Sequence, residues 1–117
     1  MLLTSEIYLS KKYIAKEDWN ELIKTVSDYN GIFRKWKIII VNDKSQIRYF
    51  IQTKCNLPAT INNLTAFLLK NSPDKDFEKI NFGTPFLTKK NDSIIDIINK
   101  CEIKNKGNFI FMEIAFR

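Results

Sequence analysis

The chain contains no histidine. That removes the commonest general base near neutral pH and the commonest transition-metal ligand. Ser-His-Asp and Cys-His nucleophile systems are excluded with it. Cysteine is scarce as well: Cys55 and Cys101 form neither a CxxC pair nor a zinc framework. They are expected as two buried free thiols in a reducing compartment, with one long-loop disulfide as the alternative if the domain faces outward. The 3 glycines spell no GxGxxG and no Walker A loop, so no phosphate cradle is encoded. Unbroken apolar runs such as 38–41 and 109–112, which none exceeds, fall far short of the roughly 18 residues that a membrane span requires. The first residues show neither a basic n-region nor an apolar h-region. These absences lead us to expect a cytoplasmic protein, or a soluble domain of a larger, membrane-associated one.

What is present fits an ordinary globular chain. Its 117 residues suit a single compact domain, 1–117, either alone or as one domain of a longer protein. Hydrophobic residues make up 44% and charged residues 27%, which argues against a disordered or fibrous chain. The net charge of +6 is uneven: segment 34–54 carries Arg34, Lys35, Lys37, Lys44, Arg48 and Lys54 against Asp43 alone. Lysine outnumbers arginine 16 to 3 beside 18 isoleucines and 12 asparagines, a bias that looks like that of an AT-rich genome, which fills neutral surface with lysine. Nucleic-acid sites lean instead on the planar fork of arginine.

The hydrophobic pattern divides the chain into elements. Alternation over 6–12 predicts a first strand. Trp19, Leu22, Ile23, Val26 and Tyr29 recur at helical spacing, and Asn30-Gly31 supplies a left-handed stop, so a helix is predicted over 16–30. Runs 32–41 and 46–54, rich in β-branched and aromatic side chains, flank the polar turn 42–45 and predict a β-hairpin. Ile61, Leu64, Phe67 and Leu68 predict a helix over 60–70. Segment 73–91 is too long for an idle loop and is expected to fold back through Phe77, Phe82, Phe86 and Leu87, with one short strand. Asn91 or Asp92 caps a further helix bearing Ile94, Ile95, Ile98 and Cys101. Residues 108–116 predict a final strand.

The order β-α-β-β-α-(α)-β is that of an α+β, ferredoxin-like fold, a four-stranded antiparallel sheet with helices on one face and an insertion near 73–91. Period-2 alternation assigns the two faces. Ile7, Leu9, Trp36, Ile38, Ile40, Ile47, Tyr49, Ile51, Ile110, Met112 and Ile114 point inward. Glu6, Tyr8, Lys35, Lys37, Ile39, Val41, Arg48, Phe50, Gln52, Lys54, Phe109, Phe111 and Glu113 are left on an open face. Trp19 and Trp36 are both expected to be buried.

The candidate binding residues are therefore Tyr8, Lys35, Lys37, Arg48, Phe50, Lys54 and Phe111, an aromatic and basic set on one sheet face. No catalytic residue, metal ligand or cofactor site is predicted. Ile39, Val41, Phe50, Phe109 and Phe111 together make a large apolar patch, the mark of an interaction surface. The expected function is a non-catalytic protein-interaction or assembly module of a larger bacterial complex, through a protein partner or self-association. Cover by the chain's own 73–91 segment is the competing reading of that face. Single-stranded nucleic acid, with bases stacked on rings and phosphates on lysines, is the alternative function. Glu6 and Glu113 are candidates for a carboxylate pair on neighbouring strands, and solvated ion pairs are their simpler reading. The acids Asp74, Asp76 and Glu78 faintly suggest calcium ligation, but the interleaved Lys75 and Lys79 oppose cation binding.

Overall fold

A computed structural model describes residues 1–9, 21, 23–24, 35–44, 46–71, 79–106 and 110–115. The elements are β1 (Leu2–Leu9), β2 (Trp36–Asp43), β3 (Gln46–Thr53), α1 (Leu57–Asn71), β4 (Lys79–Gly83), β5 (Phe86–Thr88), α2 (Ile94–Lys104) and β6 (Ile110–Ala115). Most of the helix predicted over 16–30, with Trp19, lies outside the described residues. Glu21, Ile23 and Lys24 are helical, and Ile23 is fully buried. Asp74, Asp76 and Glu78 also lie outside the described residues.

The expected four-stranded ferredoxin-like sheet is not what forms. The protein is α+β with a six-stranded antiparallel sheet ordered β2-β3-β1-β4-β6, and β5 pairs with β1 beside that path. The difference lies in segment 73–91, which supplies two strands instead of one. Phe82 faces Ile7 and Phe86 faces Thr4, so β4 and β5 run successively along the same edge of β1. Between these registers Gly83, Thr84 and Pro85 stand against Ser5 and Glu6, one residue more than a regular ladder holds. Pro85 has no N–H to give to a ladder, which suits it to that break. The Ser5 hydroxyl donates to the Gly83 carbonyl at 2.7 Å and holds the break against β1. The final strand therefore meets β4, not β1.

The β2–β3 hairpin forms as expected, from Trp36 opposite Thr53 to Asp43 opposite Gln46. Lys44 takes the positive φ of 55° in its turn. Helix α1 starts earlier than predicted because Asn56 caps it: its side-chain oxygen accepts from Ala59 N–H at 2.9 Å. Pro58 in that first turn is no breaker, since its missing N–H has no intrahelical partner there. Ser93, not Asn91 or Asp92, caps α2 in a reciprocal capping box with Asp96.

Two cores lie on opposite faces of the sheet. The principal one joins Ile7, Ile23, Trp36, Ile38, Tyr49, Ile51, Ile80 and Phe82 to Leu57, Ile61, Leu64 and Leu68 of α1. Trp36 is buried there, edge-on to Phe67 at 5.9 Å. The second joins Val41, Phe50, Phe86, Ile97 and Cys101, with Ile39 and Ile98 against it. The predicted alternation assigned Ile7, Trp36, Ile38, Tyr49 and Ile51 to the correct face. Its error was to leave the other face open. Ile40, expected inward, is exposed, and so are Ile94 and Ile95 of α2. Both cysteines are free thiols, but Cys55 is exposed where burial was expected. Among the described residues no helix is long and apolar enough to cross a membrane.

Candidate functional site

The outer face of the sheet is built in rows. Ladder register sets Ile39 opposite Phe50, Phe50 opposite Glu6, Val41 opposite Arg48 and Gln52 opposite Thr4. Directly opposed residues share a face, so these side chains form one surface. β5 extends this surface at the edge of β1, and helix α2 closes over it. Ile97 and Cys101 descend from the helix, and Phe86 meets the Phe50 ring edge-on at 6.5 Å. Phe50 is 0% exposed, so it cannot be the outward stacking ring expected of it.

Arg48 is enclosed as well. Its Nε donates to Glu6 Oε2 and its Nη2 to Glu6 Oε1, both at 2.8 Å. Nη1 reaches Glu102 of α2 at 2.9 Å and Asp43 at 3.3 Å. The guanidinium carbon lies 5.5 Å from the Phe50 ring centroid. Three carboxylates thus surround one cation, and hydrogen bonding to Glu6 holds Arg48 protonated even above its ordinary range. The group is a cross-brace between strand and helix and offers no free charge to a phosphate.

Cys101 completes this cluster. Its thiol donates to Glu6 Oε1 at 3.6 Å and accepts from Arg48 Nη2 at 3.8 Å. Burial, reinforced by the Glu6 carboxylate, pushes its pKa up to about 12, so thiolate is scarce and the sulfur a poor nucleophile. Asn105, the C-cap of α2, donates to the Cys101 and Thr84 carbonyls at 3.0 and 3.4 Å and accepts from Thr84 N–H at 2.8 Å. Further along the face, Thr4, Gln52 and Thr88 satisfy one another within a buried hydroxyl-amide group.

Beyond the helix a strip stays open. The Tyr8 hydroxyl donates to Glu6 Oε1 at 3.1 Å, and burial, then the Glu6 carboxylate, raise its pKa above the ordinary tyrosine value. Its ring lies over Gly83: a Cβ there would sit 3.1 Å from Tyr8 Cε2 and 3.0 Å from Asn105 Oδ1. Across the ladder β6 slips register, with Met112 opposite Phe82 and Ile110 opposite Gly83. Two β6 residues, Ile110 and Phe111, therefore come where a regular ladder would place one. Tyr8 is 39% exposed, Phe111 43% and Ile110 55%. Ile110 was expected inward, and only the irregular register turns it out. No motif in residues 108–116 signals that slip.

The remaining candidates, Lys35, Lys37 and Lys54, are exposed at the opposite end of the hairpin. The structure thus divides the predicted set. Tyr8 and Phe111 stay near one another, the three lysines form a distant group, and Arg48 and Phe50 are enclosed between them. Glu6 and Glu113 do not lie on neighbouring strands, since β4 separates β1 from β6. Each has its own cation, Arg48 for Glu6 and Lys79 at 3.9 Å for Glu113. Among the described residues no cluster of three or more cysteine or acidic side chains is placed to hold a metal ion. Compared with known proteins, the chain matches no family model, no curated protein and no solved structure.

Proposed function

We propose that the chain is a non-catalytic protein-interaction module of a larger assembly, and that its partner seats on the strip of Tyr8, Ile110 and Phe111. The observation that carries this reading is the exposure of those three large side chains, between 39% and 55%, around Gly83. An exposed group of large apolar side chains on one stretch of the sheet favours association. Lys79 and Glu113 beside it give the polar rim typical of such surfaces. The nucleic-acid alternative is weakened by the burial of Phe50 and the enclosure of Arg48, which separate the exposed Lys35, Lys37 and Lys54 from Tyr8 and Phe111.

The test places a photo-crosslinking benzoylphenylalanine at Phe111 in the cell of origin. A discrete protein adduct that disappears with Tyr8→Lys is the expected result, and absence of any protein adduct overturns the proposal. In parallel, labelled single-stranded RNA and DNA are titrated at low and at physiological salt. Salt-steep binding abolished by Lys35→Glu with Lys37→Glu would install the nucleic-acid reading instead.

A further inference from the structure

Helix α2 holds to the sheet differently from helix α1. Among the described residues α1 sends Leu57, Ile61, Leu64 and Leu68 into the principal core, each at most 2% exposed. Helix α2 sends Ile97 and Cys101 into the second core, with Ile98 partly buried against it. The rest of its grip is polar: Glu102 on Arg48, the Cys101 thiol on Glu6, and Asn105 on Thr84. Glu102 is 63% exposed, so its ion pair is screened and weak. Ile94, Ile95 and Ile103 of the helix stand in solvent. No strand pairing passes through α2, so the six-stranded ladder does not depend on it.

We propose that α2 is a lid that lifts from the sheet as a unit while the principal core stays folded, uncovering Phe50, Arg48 and Cys101. Local opening of this kind is drawn from elements with few buried apolar contacts, as α2 has. The Tyr8–Phe111 strip borders the lid, since Tyr8 and the C-cap Asn105 both flank Gly83. What the lid uncovers is the aromatic and basic centre of the outer face, which the closed protein denies to any partner.

Cys101 reports the motion, because it is 1% exposed when the helix is seated. In a Cys55→Ser background, which removes the exposed thiol, labelling of Cys101 by an aromatic disulfide reagent is followed against urea. The expected labelling implies an opening constant at least about tenfold above that of global unfolding, and it stays nearly flat at low urea because little surface is exposed. Glu102→Ala is expected to speed labelling several-fold while amide exchange in β1 and β3 is unchanged. Labelling that shows the full urea dependence and the opening constant of global unfolding overturns the lid. So does Glu102→Ala if it speeds β1 and β3 exchange equally.

Discussion

Arg48 and Glu6 share two parallel hydrogen bonds of 2.8 Å, with their side chains only 11% and 7% exposed. The two residues are 42 positions apart in sequence, and their bidentate pairing ties β3 to β1 beneath the helix. Breaking one side of a buried ion pair leaves an uncompensated charge. Glu6→Ala takes away the bidentate partner but leaves Arg48 with Asp43 and Glu102, so the expected cost in urea unfolding is about 2–3 kcal/mol. Glu6→Leu with Arg48→Met, which removes both charges, should recover most of that loss.

Phe50 follows a different rule. The alternation of β3 set it on the outer face, where truncation would leave folding nearly intact. The outer face is itself a core, so Phe50→Ala creates a cavity beside Phe86 and Ile97. The expected loss is about 3–5 kcal/mol by denaturant titration.

Alkaline pH should loosen the protein through Cys101. Its pKa rises from 9.0 to about 12 on folding, so the folded state holds the proton more tightly than the unfolded chain. The stabilisation is complete below pH 9 and is lost as pH rises through the window up to about 12. Burial of Tyr49 and Tyr8 acts in the same direction. The urea midpoint, measured from pH 7 upward, should fall less steeply in Cys101→Ala than in the wild type.

Gly83 is held by close approach. An added Cβ would press on Asn105 Oδ1 at 3.0 Å, an atom already fixed by Thr84 N–H. The Tyr8 ring, partly exposed, has room to turn. Gly83→Ala is expected to lower stability by about 1–2 kcal/mol, near the lower range for overpacking. Tyrosine fluorescence should report a more solvated Tyr8.

The local elements were legible where one physical signal dominated. The 42–45 turn between two β-branched runs disclosed the hairpin, and Ile61, Leu64 and Leu68 disclosed α1. Side-chain parity was also readable, because Lys35, Lys37, Arg48 and Gln52 mark the alternate positions beside Trp36, Ile38, Tyr49 and Ile51. What could not be read was which element covers the second face. That depends on a break at Gly83–Thr84–Pro85 that makes two strands from one segment, and on a helix whose sheet-facing residues are Ile97 and Cys101. Ile94 and Ile95, the more apolar-looking choice, point to solvent. Ile110 was misplaced for a related reason: one slipped residue in β6 reverses the face it occupies.

The central position of β1 governs how the chain must assemble. Its first neighbour, β3, begins at Gln46, and its other edge is filled by residues 80–88. During synthesis β1, which precedes the other described strands, therefore waits until residues 80–88 are made before both its edges are filled. Until β4 and β5 leave the ribosome, Leu2, Ile7 and the backbone of β1 have an unfilled edge that invites intermolecular pairing. Such distant partners give the sheet a high contact order, and its refolding should be slow beside the rapid closure of the β2–β3 hairpin.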